Sequence, residues 1–287
     1  YNGHMFPTKM QDNEERLSEH TKRHYEVVNA IAIDNHIAGG TGWCAFDYHT
    51  HYDFGSGDRI CYHGVYDMFR NPKFASTVYS SQMDTDKKII LEPITIYARG
   101  ERAIGGITPL MISTNCDYVE VYFKDIMIAK EYPATNKYQG LKHPPIIINI
   151  EQNIPGVSSM NWEDLKVIGY INGKAEIERK YLKNPTFKEL EITADDKEIN
   201  SINEGSAWDS TRITIKAVDS WGNRLPYINE AINIEVKGAG ELIGNDNPVL
   251  EGGYYSFWVK TNTKKGIMKI TVSNKRVESN SVEIKVK

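Results

Sequence analysis

The C-terminal part of the chain alternates apolar and polar residues with a period of two. Ile213, Ile215 and Ala217 alternate with Arg212, Thr214 and Lys216, and Ile232, Ile234 and Val236 with Asn233, Glu235 and Lys237. Met268, Ile270 and Val272 repeat the pattern, as do Val282, Ile284 and Val286. Successive side chains of a strand point to opposite faces, so this spacing predicts strands with one dry face and one wet face. Asp219-Ser220-Trp221-Gly222-Asn223 and Gly252-Gly253 supply turns between them. Together they predict an immunoglobulin-like β-sandwich over residues 186–287, with no cysteine to join its sheets. Residues 88–185 are strand-rich in a different way. Runs at 89–98, 118–123, 146–150 and 166–171 read as strands, and Ile146-Ile147-Ile148 is continuously apolar, as in a sandwich core. Pro93 suits an edge or a bulge, and Gly105-Gly106, Gly140 and Pro144-Pro145 mark loops. A second antiparallel sandwich is expected there, ending near Asn184-Pro185.

The first 87 residues change period. Leu17, Thr21, His24, Val28 and Ile31 recur at three- and four-residue steps, which predicts a helix over 12–33 with Asp12 and Glu15 as a capping-box variant. Gly39 and Gly40 precede a run, Thr41 to Tyr48, without a helical stripe, which suits a buried strand whose C-terminal end meets a site. An aromatic and histidine-rich loop follows, and Asn71-Pro72-Lys73 starts a short helix. Helix, strand, loop and helix form the closing quarter of a (β/α) barrel. One strand cannot close a barrel, so the faces meant for other strands need cover. The expected fold class is mostly β: a partial (β/α) barrel segment (1–87) followed by two immunoglobulin-like β-sandwich domains (88–185 and 186–287).

Composition narrows the partners. Lys+Arg number 34 against Asp+Glu 38, a net charge of −4, and no long basic run is present, so nucleic acid is not expected. No stretch reaches the roughly 20 apolar residues of a membrane helix. The chain begins at Tyr1 and not Met, as a fragment would, so targeting is not legible. Cys44, Cys61 and Cys116 cannot all pair, and their spacing fits neither a zinc knuckle nor a disulfide framework; free thiols are expected.

Three blocks carry a family resemblance: Gly39-Gly40 with Trp43 and Asp47, then His63-Gly64-Val65, then Arg70-Asn71-Pro72-Lys73. In this order they resemble the last strand, loop and helix of the catalytic barrel in glycoside hydrolase family 2, with the closest likeness to its β-galactosidases. Tyr1 to Lys9 is similar to the segment that follows the family's nucleophilic glutamate. GAGELIGNDNP with EGGYYSFWVK resembles the C-terminal sandwich of many bacterial members. The resemblance implies a retaining β-galactosidase acting on terminal non-reducing β-galactosides. It also implies that both working glutamates lie upstream of Tyr1, so that this fragment is inactive alone and needs the remainder of the barrel. No catalytic residue is assigned here, and no cofactor or metal is expected.

Candidate substrate-binding residues follow from the same likeness. Trp43 falls where the family places a substrate-facing tryptophan, and an indole face packs well on sugar C–H bonds; a tryptophan filling the barrel core is the alternative. His4 lies in the loop that approaches galactose, where an imidazole can donate to a hydroxyl; the alternative is a structural loop histidine. Tyr1 neighbours the nucleophile. Asp47 closes the strand, and His63 stands where related galactosidases often carry asparagine. Family β-glucuronidases hold their sugar carboxylate with an Asn-x-Lys signature; here Cys61-Tyr62-His63-Gly64 offers no lysine, which favours a neutral galactoside.

Metal chemistry has weaker support. His49 and His51 lie on opposite sides of an extended backbone, which disfavours joint chelation. His20 and His24 are four apart on the helix, without the glutamate of a metalloprotease motif. Trp162, Trp208, Trp221, Trp258, Tyr254 and Tyr255 present either a sugar-binding face or core, with at least half expected in the core. A non-catalytic carbohydrate-binding or adhesion module accounts equally for residues 88–287 but leaves the blocks before residue 82 unexplained. Assembly into a homo-oligomer through the sandwiches stays open.

Overall fold

The computed structural model describes residues 6–52, 57–98, 107, 109–150, 162–201 and 207–287. The chain divides into two compact units, Tyr1–Asn184 and Pro185–Lys287, and is mostly β.

Helix α1 (Glu14–Ile33) opens the first unit. Its cap is Asn13, one residue later than the expected Asp12, with Asn13 Oδ1 accepting from the Arg16 N–H at 2.9 Å. Asp12 instead accepts from the Lys9 N–H at 2.7 Å. The shift has a structural use, because it turns Glu14 inward. The buried Glu14 carboxylate accepts from Thr95 Oγ1 at 2.8 Å and from the Ile96 N–H at 2.6 Å. Leu17, His20, Thr21, His24 and Tyr25 form the buried face, while Val28 and Ile31 are half-buried.

The stretch after α1 departs from expectation. Thr41 to Tyr48 does not form a buried strand; it is largely exposed up to Phe46. Its pairings include a parallel bridge from Phe46 to Tyr66 and β1 (Tyr48–His49) against β2 (Ile60–Cys61). Helix α2 (Ser76–Ser80) starts later than Pro72, which instead bridges to Tyr66.

Two sheets make the first sandwich. Strands β3 (Leu91–Pro93), β4 (Leu110–Thr114) and β7 (Ile146–Ile148) form one, in the order β3-β4-β7. Strands β5 (Tyr118–Phe123), β6 (Ile126–Glu131), β8 (Leu165–Ile171) and β9 (Lys174–Tyr181) form the other, in the order β6-β5-β8-β9. All pairings are antiparallel, and Pro93 sits at the end of an edge strand, where its missing N–H costs nothing. Leu91, Leu110, Ile112, Val119, Val121, Ile146 and Val167 fill the space between the sheets. Every residue of β4 is buried, because α1 and α2 cover its other face. There Tyr25, Val78, Ile94, Met111, Tyr138 and Leu141 form a second core, and Tyr25 Oη donates to Ser113 Oγ at 2.8 Å. Residues 6–87 and 88–184 therefore pack as parts of one unit.

The second unit holds β10 (Glu189–Ala194), β11 (Glu198–Ile199), β12 (Ser210–Val218), β13 (Asn233–Gly238), β14 (Gly240–Ile243), β15 (Tyr254–Thr261), β16 (Gly266–Ser273) and β17 (Asn280–Val286). They form two sheets, β10-β12-β15-β14 and β11-β17-β16-β13, with only β11 and β17 paired in parallel. The alternation in the sequence sets which side is dry. Ile213, Ile215, Ala217, Met268, Ile270, Val272, Ile284 and Val286 all enter one core with Phe257 and Val259.

The histidine pair on α1 gives the first unit a pH dependence. His20 and His24 face each other, Nε2 to Nε2 at 3.2 Å, and His24 Nδ1 lies 2.9 Å from Tyr79 Oη. Burial holds both imidazoles neutral, lowering His24 to about 4 and His20 to about 2; the Lys73 charge adds to both shifts and His24 adds to that of His20. Below the ordinary value of 6.5 the unfolded chain takes up protons that the folded chain refuses, so stability falls as pH drops toward 4. Each imidazole contributes up to ~1.4 kcal/mol per pH unit in that window. A His20→Gln/His24→Gln variant, followed by urea denaturation from neutral pH downward, is expected to show a flatter profile than the native chain.

Candidate functional site

The segment that bears Trp43 is assembled around a buried charge. Lys73 Nζ lies 2.7 Å from Asp47 Oδ1, with side-chain exposures of 0% and 3%. The same ammonium donates to the Thr8 carbonyl at 2.5 Å, and the Gly64 N–H donates to Asp47 Oδ1 at 2.8 Å. Burial pushes the Asp47 carboxyl up to about 6, against the pull of the Lys73 ammonium and the Gly64 N–H. Burial likewise draws Lys73 below its ordinary value, and Asp47 opposes it. Each group thus holds the other's charge in a dry setting.

Backbone bonds zip two strands of this junction together around that pair. Val65 N–H donates to the Cys44 carbonyl at 3.2 Å, Tyr66 N–H to Ala45 at 2.9 Å, and Asp47 N–H to Tyr66 at 3.0 Å. Gly64 is required here, since a Cβ would stand 2.3 Å from both Asp47 N and Tyr66 O. At the outer end Trp43 is 54% exposed. Its Nε1 donates to Tyr48 Oη at 3.1 Å, and the two rings meet edge-on with centroids 6.1 Å apart. The Trp43–Cys44 peptide bond is cis.

The other expected residues divide. His63 is buried, its Nδ1 2.8 Å from Cys61 Sγ. Asp47 and His63 are thus both buried in the junction, whereas Trp43 reaches solvent. His4 and Tyr1 lie outside the described residues. An open cleft of about 430 Å³ at the junction is lined by Cys44, Ala45, Val65, Tyr66, Tyr79 and Met83, among others. Among the described residues, no three His, Cys, Asp or Glu side chains are grouped as metal ligands. Of the sandwich aromatics, Trp162 is buried against Tyr97, whereas Trp208 and Trp221 are exposed.

Residues 190–283 match the sequence model of the glycoside hydrolase family 2 C-terminal domain 5. Over 257 residues the chain is 50% identical to a β-galactosidase of Thermoanaerobacterium thermosulfurigenes, covering 88% of this chain and 35% of that protein. The chain belongs to glycoside hydrolase family 2. It is a C-terminal portion of a β-galactosidase-like member. A Rhizobium meliloti β-galactosidase is 36% identical over 257 residues, 88% of this chain and 33% of that protein. The family 2 chain thus spans about a third of the length of the curated relatives it matches. A crystal structure of a β-glycosidase from Bacteroides vulgatus shares the fold, with a TM-score of 0.66 at 18% identity over 86% of this chain and 31% of that one.

Lys73, Tyr48 and Cys61 are the residues at this site that sequence reasoning passes over. Lys73 enters it only as part of a helix start. Its partner Asp47 is 26 residues away in the chain, so no local pattern marks it. Removing one partner from a buried pair strands the other's charge and costs ~3–5 kcal/mol. Lys73→Met is therefore expected to lower stability by about that amount in chemical denaturation. Asp47→Asn/Lys73→Met, which removes both charges and keeps an acceptor for Gly64, is expected to recover more than half of the loss.

Proposed function

We propose that this chain is the C-terminal part of a retaining β-galactosidase, and that Trp43 supplies an aromatic wall of its sugar pocket. The observation that carries the reading is the pairing of an exposed, braced indole with an uncovered apolar surface. Ile33, Ile37, Phe46, Tyr79 and Met83 are each at least 40% exposed. These are the faces that neighbouring barrel strands would cover, so residues 1–87 serve as the closing part of the catalytic barrel. Residues 88–185 and 186–287 are the two sandwiches that support it. The names of the two relatives point to the same activity.

Double displacement at an anomeric carbon needs two carboxyl groups about 5–5.5 Å apart. Asp47 is engaged by Lys73 and has no access to a substrate, so its part is to fix the backbone below Trp43. Both catalytic glutamates then come from the preceding barrel strands of the parent protein. The flat C–H face of a galactose packs on the indole, in a pocket closed to water by the surrounding aromatics. The family likeness adds His4 and Tyr1, which lie outside the described residues, to the sugar-binding set, and buried His63 acts from behind.

The parent protein is expected to hydrolyse a nitrophenyl β-galactoside in preference to the glucuronide, and the present chain alone to show background turnover. Trp43→Ala in the parent is expected to lower kcat/KM about tenfold or more, at ~1.4 kcal/mol of transition-state binding per decade. A parent with no galactosidase activity, or a Trp43→Ala variant with native kcat/KM, would sink the reading.

A further inference from the structure

The exposed indole of Trp43 is tied to a line of contacts leading into the protein. The first bond is Trp43 Nε1 to Tyr48 Oη at 3.1 Å. An indole N–H only donates, so the direction of this bond is set. The Tyr48 oxygen must accept, which leaves its single O–H for another partner. The antiparallel register of β1 and β2 places Tyr48 directly opposite Cys61, so their side chains stand side by side on one face of the pair. Cys61 is buried, and its Sγ lies 2.8 Å from His63 Nδ1. Cys61 Sγ and His63 Nδ1 share that hydrogen bond, and the ring tautomer sets which of them donates. Contacts thus lead inward from the indole through Tyr48 and Cys61 to His63.

We propose that Tyr48, Cys61 and His63 are positioning residues for Trp43, fixing the angle at which its indole stands on the loop. The geometry favours this over incidental contact. The Lys73–Asp47 pair and the backbone zipper hold the main chain from residue 44 to 47, but neither constrains the Trp43 ring. The ring has a single hydrogen-bond donor, and that donor is spent on Tyr48. Tyr48 also meets the indole edge-on, at an interplanar angle of 85°, so the phenol restrains it by contact and by hydrogen bond. A sugar stacked on Trp43 would feel this restraint as preorganisation: the aromatic face is already set when the ligand arrives. That last step rests on the reading of Trp43 as a sugar platform.

The test uses the full-length parent protein and the variants Tyr48→Phe, Cys61→Ala and Cys61→Ser. Acrylamide quenching of Trp43 fluorescence, isolated by subtraction of the Trp43→Phe background, reports the indole directly. Tyr48→Phe keeps the ring and deletes the hydroxyl; it and Cys61→Ala are expected to change the quenching of Trp43. They are also expected to raise KM for a nitrophenyl β-galactoside about fivefold, the loss of one neutral hydrogen bond, with a smaller change in kcat. Cys61→Ser, which can both accept and donate, is expected to restore both quantities. Native quenching in Tyr48→Phe and Cys61→Ala would overturn the proposal. So would a fall in melting temperature with no change in the Trp43 signal, which is what a merely structural role produces. Altered quenching with unchanged KM would uphold the positioning role and count against the sugar platform instead.

Discussion

Lys73 has no path to water, and a dry ammonium must be met by fixed acceptors. Asp47 and the Thr8 carbonyl meet it, and the Gly64 N–H satisfies the same carboxylate oxygen. Chain segments around residues 8, 47, 64 and 73 are thereby obliged to converge on one point. The backbone zipper between 44–47 and 64–66 then forms with its ends already held. Trp43 is added last, outside the dry zone, which is why it can be exposed without being loose. The order of dependence runs from charge to backbone to aromatic ring.

The same economy of buried polar groups joins the helices to the sandwich. Glu14, in the first turn of α1, is the acidic counterpart of Lys73: a carboxylate taken out of water and met by donors from residues 95–97. Tyr25 does likewise with a hydroxyl, reaching Ser113 across the second core. An apolar interface alone would hold α1 against the sheet but would leave it free to slide. The hydrogen bonds at both positions set its height.

Legibility in the sequence followed the physics of each element. Four of the eight strands of the second unit, β12, β13, β16 and β17, are readable from alternation because each has one wet face. The first sandwich was harder. β4 is dry on both sides and so lacks alternation, and β9 is exposed along most of its length. Asp12 and Asn13 are both competent caps, and the choice between them depended on where Glu14 had to point. At the site, Trp43 and the junction were found through a family likeness, and its inner members, Lys73 and Cys61, were not. Nothing local marks a lysine as buried when its partner sits 26 residues away in the chain.

The double cover of β4 carries a consequence for how that strand is aligned. In most strands a one-residue slip swings the apolar set into water, and the penalty enforces the pairing. β4 pays no such penalty, since Leu110, Met111 and Ile112 are welcome on either side. What distinguishes one alignment from the next is a pair of hydroxyls: Ser113, bonded from Tyr25, and Thr114, whose Oγ1 donates to the Ile90 carbonyl at 2.7 Å. Displaced by one step, both would be left without partners in a dry interior. The aliphatic residues of this strand are thus free to exchange among themselves, while two small polar groups act as the ratchet teeth that keep it from sliding.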